Sequence, residues 1–246
     1  SENYERRFIM TFPNETLPKG RKQKTTALYD RFVSQGAVMG DSFGLENVLW
    51  FANNPKDAYE EPTIKRSRSH DYVSKEVKNV RENVGVTEIA NFSKHEFQGP
   101  DARKFLNYVL SGKIPKPGRI ALNPMLTPKG KLYGDLTVAC LNENKFIVFG
   151  SGTVQEMHRR WFEKYLDNYD VIYKNRSDEI HGLALSGPKS RQLMQKLVRD
   201  DISNENFKFR DVKEMYVGGV PAIVNRISFT GELGYEIYVA PHFQLK

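Results

Sequence analysis

The sequence contains very little cysteine and no long apolar run, and both shortages narrow the class of protein. Its single cysteine, Cys140, cannot form a disulfide within the chain or a metal site of several cysteines, which favours a reducing compartment. No apolar run approaches the roughly 18 residues that a membrane-spanning helix needs. The five histidines show no metal-ligand spacing, so structural or surface roles are expected for them. Nucleophile elbows, Walker motifs and dinucleotide glycine fingerprints are also missing.

What is present indicates a folded protein with a real core. Aromatic residues make up 12% of the 246 residues, which argues against a disordered chain, and the length suits one large domain or two small ones. The net charge of +7 suits a polyanion or an acidic partner. A non-enzymatic module that binds nucleic acid or a partner is therefore one alternative, although the basic clusters lack an aromatic-interleaved nucleic-acid signature.

The first stretch, residues 1–69, is irregular and basic. One helix is predicted in it, opened by Thr25 or Thr26 as N-cap and ended by Gly36. The bulky cluster Leu49–Phe51 follows, and then a polar loop with two prolines. We interpret this stretch as a linker or peripheral segment without an independent core.

From residue 70 the chain alternates helices with pairs of β-rich segments. Valines at helical spacing predict a helix that ends at Gly85, and a second helix is predicted over 153–168, with Thr153 and Glu156 as a capping box. Two strings then echo each other: Gly99-Pro100 and Gly187-Pro188 each follow a β-like run and open a helical pattern.

A hairpin-like region follows each Gly-Pro helix. The first spans 119–149 with its turn at Thr127–Gly130, and the second spans 222–239 with its turn at Thr230–Gly234. The sequence therefore predicts an α+β fold with antiparallel sheets, built from two strand–helix–hairpin units over about 70–170 and 171–246.

Each hairpin carries an acid in an apolar strand shortly after its turn. Asp135 and Glu236 are the two, and a carboxylate in a half-buried strand is costly unless it is paired or employed. Another interpretation is that side chains simply alternate between the two faces of the strand, so that Asp135 and Thr137 face solvent while Leu136 and Val138 face the core. A single acid of this kind is more simply explained by alternation, but the matching places of the two acids in echoing units leave both interpretations open.

The most distinctive string is the second turn, from Phe229 to Glu236. Gly231 and Gly234 allow a flat ligand to approach the main chain, and Phe229 and Tyr235 offer ring surface. The alternative is a tight turn with ordinary aromatic packing.

These strings together resemble the glycine-cleavage T-protein (aminomethyltransferase) family, and within it the folate-binding portion of dimethylglycine and sarcosine dehydrogenases. The resemblance begins near residue 71 and runs in order to the C-terminus. It rests on the Gly99-Pro100 helix start and on the strings Val84–Ala90, Pro124–Gly130, Tyr133–Leu136 and Phe229–Glu236. Strings within 1–69 are similar to the segment that joins the FAD half of those dehydrogenases to the folate half.

The resemblance implies bound tetrahydrofolate, which accepts formaldehyde or an iminium from a methylated amine to give 5,10-methylenetetrahydrofolate. The catalytic aspartate of the family falls on Asp135 and its pterin-binding glutamate on Glu236. Phe229 replaces the motif tyrosine, and Leu122 stands where another folate-side tyrosine is expected. Further cofactor-binding candidates are Tyr235, Glu88 and Phe92.

The resemblance also sets expectations for partners and location. The family continues with another subdomain after the position of Lys246, so a fragment that is incomplete at its C-terminus is expected. FAD is expected only if a flavin domain or a dehydrogenase half accompanies the chain, and neither nucleic acid nor membrane is expected as a partner. A bacterial cytoplasm or a mitochondrial matrix is the expected location. The alternative activity within the family is that of the glycine-cleavage aminomethyltransferase itself, and a non-enzymatic relative that binds folate without turnover is a further alternative.

Overall fold

The computed structural model describes residues 2–12 and 15–246. The chain forms two compact units, one over residues 1–82 and one over residues 83–244. The sequence places the boundary at 69/70 instead. The difference arises because the last helix of the first unit packs on that unit's own hairpin.

The N-terminal unit is a β-hairpin with helices around it. Its helices and strands are α1 (Glu2–Arg6), α2 (Tyr29–Ser34), β1 (Ala37–Ser42), β2 (Leu45–Phe51) and α3 (Ser69–Glu82). Trp50 on β2 is buried, its ring stacks on Tyr72 of α3 at 4.8 Å, and its Nε1 donates to Glu60. Val38, Ala52 and Val73 complete a small apolar cluster, so the segment has more packing of its own than the sequence suggests.

The predicted helix ends differ from those observed in two places. Helix α2 begins at Tyr29 without a side-chain cap from Thr25 or Thr26, although Gly36 with φ +88° follows its end as expected. The predicted capping box on Thr153 is wrong, because the Thr153 hydroxyl pairs with Ser151 and a 3₁₀ turn precedes the next helix.

The second unit contains two five-stranded antiparallel sheets. The first sheet has the order β5-β6-β7-β4-β8, and the second sheet has the order β10-β11-β12-β9-β3. The bounds are β3 (Gly85–Glu88), β4 (Phe92–Gln98), α4 (Ala102–Val109), β5 (Arg119–Leu126), β6 (Leu132–Asn142), β7 (Lys145–Ser151), α5 (Gln155–Lys164), β8 (Ile172–Asn175), β9 (His181–Ser186), α6 (Ser190–Gln195), β10 (Val212–Val217), β11 (Val220–Asn225) and β12 (Gly234–Val239).

The two similar parts of the sequence, which begin helices at Gly99-Pro100 and Gly187-Pro188, fold with the same topology. The series β4-α4-β5-β6-β7 and β9-α6-β10-β11-β12 have the same strand order in their sheets. The fifth strand of each sheet comes from the segment that precedes the other series, since β3 pairs with β9 and β8 pairs with β4. Gly99 and Gly187 occupy equivalent places with φ of +146° and +126°, a backbone region that favours glycine.

The two hairpins that carry the acids are not equivalent, which corrects the sequence interpretation. The turn at 127–130 joins β5 to β6, whereas the turn at 230–234 belongs to the connection from β11 to β12. By topology the counterpart of β6 is β11, so Asp135 and Glu236 do not occupy matching places. Each series has two hairpins that share a middle strand, and turn composition does not say which of the two is which.

The two sheets pack face to face, and helices cover the other face of each. We call the facing surfaces the inner faces. They meet through a cluster that includes Ile120, Ala139, Ile147, Phe149, Val212 and Tyr238. Helices α4 and α5 cover the first sheet around Phe97, Phe105 and Phe162, and α6 covers the second sheet around Met194. The buried Cys140 belongs to the first of these helix-side cores, as its apolar surroundings in the sequence predict.

Candidate functional site

Asp135 lies on the inner face of the first sheet with a free carboxylate. Leu136 and Val138 of β6 are fully buried toward the helices, so alternation turns Asp135 and Thr137 to the inner face. Asp135 is exposed and pairs across the sheet with Pro124. Within the described part of the chain its carboxylate makes no hydrogen bond or ion pair, so it is available to a ligand.

Glu236 lies on the inner face of the second sheet in a hydrogen-bonded network. The Tyr238 hydroxyl donates to its Oε2 at 2.9 Å and the Asn225 Nδ2 donates to the same oxygen at 3.4 Å. Burial raises the pKa of Glu236, while these two hydrogen bonds act to lower it. Burial and the nearby Glu236 raise the pKa of Tyr238, so its hydroxyl remains a donor.

Two acceptor atoms in this network have no partner among the residues that the structure describes. Both hydrogen bonds to Glu236 end on Oε2, which leaves Oε1 without one, and the buried Oδ1 of Asn225 accepts none. Buried acceptors normally find a donor, so this pair of oxygens suits a ligand that presents N–H groups.

An aromatic stack links the inner faces that carry the two acids. The rings of Phe149 and Tyr238 are stacked at 4.5 Å across the two sheets. Glu236 lies two residues from Tyr238, and Asp135 lies two residues from Thr137, the cross-strand partner of Phe149. The fold therefore brings both predicted acids to facing surfaces beside one stack.

A buried lysine adjoins the same stack. Lys94 of β4 pairs with Phe149 and is fully buried, and its Nζ donates to the Ala90 carbonyl at 2.7 Å. Burial lowers the pKa of Lys94 to about 7, while the charges of Asp178 and Glu88 act to raise it. The sequence gives no signal for this residue beyond its place in a strand.

Three predicted residues with apolar side chains are exposed near Asp135 or on the loop before Glu236. Leu122, 73% exposed, pairs with Thr137, and Phe92, 40% exposed, opens β4 on the same inner face. Phe229 is 98% exposed in the connection between β11 and β12. Exposed large apolar side chains of this kind are surfaces that a flat ligand can cover.

Tyr235 is placed differently from the expectation, whereas Glu88 lies close enough to Lys94 to influence it. Tyr235 is fully buried on the helix side, where its ring stacks on Phe207 at 6.1 Å, because alternation turns it away from the face that Glu236 occupies. Its ring is therefore unavailable at the inner face. Glu88 accepts a hydrogen bond from Gln244, and it influences Lys94 through its charge.

Sequence reasoning missed Tyr238, Asn225 and Phe149. Tyr238 stands two residues after Glu236, so strand alternation alone places it on the same face. Asn225 and Phe149 have no such signal, because only strand pairing and sheet packing bring them to the site.

The described residues contain neither a metal-binding cluster nor a membrane-spanning helix. Among residues 2–12 and 15–246, no three or more histidine, cysteine, aspartate or glutamate side chains are grouped so that they could hold a metal ion. Over the same residues no helix has the length and apolar character needed to cross a membrane.

Comparison with known proteins identifies the family. The family model described as the GCVT N-terminal domain matches residues 28–246. The human mitochondrial dimethylglycine dehydrogenase is 36% identical over 96% of this chain and 28% of that protein. An aminomethyltransferase of Thermosipho melanesiensis is 28% identical over 87% of this chain and 54% of its own length.

The fold agrees with that of a solved relative. The glycine cleavage system aminomethyltransferase T from Bartonella henselae superposes with a TM-score of 0.74 at 20% identity, over 91% of this chain and 55% of that one. The chain thus spans about half of the aminomethyltransferases that it matches and just over a quarter of the human dehydrogenase. The chain belongs to the glycine-cleavage T-protein family, through its N-terminal domain.

Proposed function

We propose that the chain binds tetrahydrofolate and takes part in transfer of a one-carbon unit, with 5,10-methylenetetrahydrofolate as product. The carbon arrives as formaldehyde or an iminium derived from a methylated amine of dimethylglycine or sarcosine type. The observation that carries this proposal is the partly satisfied acceptor pair of Glu236 and Asn225 on the inner face. Similarity to a dimethylglycine dehydrogenase supports the substrate class.

The residues present fit a reduced pterin. A pterin edge carries adjacent N–H donors, and a carboxylate with one oxygen free can accept from them. Glu236 and Asn225 offer Oε1 and Oδ1 for this purpose, and Phe229 offers an exposed ring. The net charge of +7 suits the anionic glutamate tail of a folate.

Asp135 has the role of positioning and proton transfer in this proposal. Bound tetrahydrofolate supplies the amine nitrogens that take up the carbon unit. The unpaired carboxylate of Asp135 can orient those amines, stabilise a positive charge that develops near them, and accept or return a proton.

Calorimetric titration of the purified chain with tetrahydrofolate tests the proposal. We expect saturable binding that Glu236→Gln weakens about tenfold, since the variant replaces a charged acceptor with a neutral amide. Glu205→Gln makes the same charge change at an exposed position elsewhere and is expected to bind as the unchanged chain does. Absence of any heat of binding from the unchanged chain would refute the proposed function.

Phe229 allows a test that separates binding from stability. Its side chain is 98% exposed, so Phe229→Ala is expected to change the free energy of unfolding by less than about 0.5 kcal/mol. Loss of ring contact with the ligand is expected to weaken tetrahydrofolate binding by about fivefold. Urea denaturation and calorimetry on the same preparation measure the two effects. Unchanged affinity would remove Phe229 from the proposed site.

A second candidate is the reaction of the aminomethyltransferases that the chain also matches. The donor distinguishes the two, because an aminomethyltransferase takes its carbon from a lipoyl-bound aminomethyl carrier protein. For the leading proposal we expect an FAD-containing dehydrogenase half as partner. For this proposal we expect the chain to work in a bacterial cytoplasm or a mitochondrial matrix, and the human relative is a mitochondrial dehydrogenase.

A further inference from the structure

A cavity of about 450 Å³ lies between the two sheets, and neither Asp135 nor Glu236 lines it. Glu96 and Lys145 of the first sheet form one wall, and the inner-face residues Glu214, Ile223 and Tyr238 of the second sheet form the other. The volume falls in the range of small-molecule sites. We call this cavity the amine cleft.

One wall of the amine cleft carries two cations that share a buried carboxylate. Glu96 has its side chain 8% exposed and accepts from Arg176 Nη1 at 2.9 Å, whereas the Lys145 ammonium lies 3.8 Å from the same oxygen. Arg176 also pairs with Glu179 at 2.7 Å. The guanidinium therefore has a carboxylate partner on each of two sides, whereas the more loosely paired Lys145 ammonium can turn toward an anion.

The opposite wall carries an acid and aromatic rings. Glu214 of β10 is exposed on the inner face, and within the described residues its carboxylate makes no ion pair or hydrogen bond. Tyr216 and Tyr238 also line the cleft. A carboxylate beside aromatic rings is the environment that alkylated ammonium groups favour, through charge and cation–π attraction.

Geometry and charge thus match a molecule with an ammonium at one end and a carboxylate at the other. We infer that the amine cleft binds a small zwitterionic amino acid with an alkylated nitrogen, with its ammonium toward Glu214 and its carboxylate toward Lys145. The inference rests on the proposed function for the identity of the amine and adds a binding site distinct from the folate site. Tyr238 borders both sites, because its ring lines the cleft and its hydroxyl donates to Glu236.

Saturation-transfer NMR with N,N-dimethylglycine tests the inference. We expect a dissociation constant on the order of 1 mM, which is typical of so small a ligand. Isovalerate keeps the shape but has carbon in place of the ammonium nitrogen, and dimethylethylamine lacks the carboxylate, so each is expected to bind at least about fivefold more weakly. Absence of saturation transfer from dimethylglycine, or equal binding of all three probes, would overturn the inference.

Two single variants locate the binding. Glu214→Gln and Lys145→Gln are each expected to weaken dimethylglycine binding about fivefold, and Arg176 still neutralises Glu96 in the second variant. Glu205→Gln, outside the cleft, is the matched control. Binding that neither cleft variant changes would contradict this location.

Calorimetry with tetrahydrofolate on the same preparations separates the two proposals. Intact folate binding without dimethylglycine binding overturns the cleft alone. If dimethylglycine binds in a way that depends on Glu214 but tetrahydrofolate does not bind, the amine cleft is supported and the proposed function is overturned.

Discussion

Replacing Asp135 by asparagine is expected to lower the rate of 5,10-methylenetetrahydrofolate formation about 100-fold, the usual size of a lost proton-transfer group. The substitution keeps the shape of the side chain and removes the charge and the basic oxygen. Asp135 is exposed and makes no hydrogen bond or ion pair within the described residues, so the fold does not depend on its charge. The rate is measured with formaldehyde and tetrahydrofolate after subtraction of the spontaneous reaction.

Affinity separates a chemical role of Asp135 from a binding role. Tetrahydrofolate is expected to bind the Asp135→Asn variant within about twofold of the unchanged chain, because a group that acts in the transition state affects the rate more than the affinity. Thr137→Val alters the same face of the same strand without a charge and serves as control. Equal rates for the Asp135→Asn variant and the unchanged chain would exclude Asp135 from the mechanism.

Local pattern was enough to predict much of this fold. The two Gly-Pro helix starts predict a repeat, and the repeat appears as two sheets with the same strand order. Alternation in β6 predicts the placement of Asp135, since Leu136 and Val138 are buried on the other face. Both inferences depend on residues that are neighbours in the chain.

The pairing of strands that are far apart in the chain could not be predicted from the sequence. The crossing of β3 and β8 between the sheets joins segments far apart in the chain, and β-pairing partners of that kind leave no local pattern. The sequence suggests equivalent places for the two acids for the same reason, because the composition of a turn does not reveal which of the two hairpins in a series it belongs to. Tyr235 lies one residue from the predicted acid Glu236 and therefore on the other face.

The part of the Glu236 site that sequence missed shows the same limit. Tyr238 follows from alternation once Glu236 is assigned, but Asn225 reaches Glu236 only through the pairing of β11 with β12. The Phe149–Tyr238 stack requires the packing of one sheet on the other. Motif resemblance thus identified one acid on each inner face, and the fold supplied the groups that surround Glu236.

A buried histidine gives the fold a marked sensitivity to acid. His95 lies on the helix side of β4, fully buried, with its Nδ1 2.8 Å from the Tyr173 hydroxyl and its ring 5.2 Å from that of Phe162. Its Nε2 makes no hydrogen bond to any residue in the described ranges 2–12 and 15–246. Burial, with a smaller contribution from His158, lowers the pKa of His95 from 6.5 to about 3.

Stability is therefore expected to fall as the pH falls below 6.5. Above that pH both the folded and the unfolded chain hold a neutral His95, and below it the unfolded chain binds a proton that the folded chain binds only near pH 3. Between pH 6.5 and about pH 3, His95 therefore lowers the free energy of unfolding by about 1.4 kcal/mol for each pH unit of acidification. By pH 4.5 the loss due to His95 is about 3 kcal/mol. Burial also lowers the pKa of His158, which acts in the same direction.

Substitution of His95 by phenylalanine is expected to remove that part of the slope. The ring volume is kept among Phe162 and Tyr173, while the ionisable group is lost, so the variant loses stability at pH 7 by about 1 kcal/mol through the unpaired Tyr173 hydroxyl. Between pH 6.5 and about 4.5 the free energy of unfolding of the variant therefore falls by about 3 kcal/mol less than that of the unchanged chain. Urea denaturation across this range measures both slopes, and His70→Phe, at an exposed histidine, is expected to keep the original one. Parallel slopes for His95→Phe and the unchanged chain would show that folding does not lower the pKa of His95.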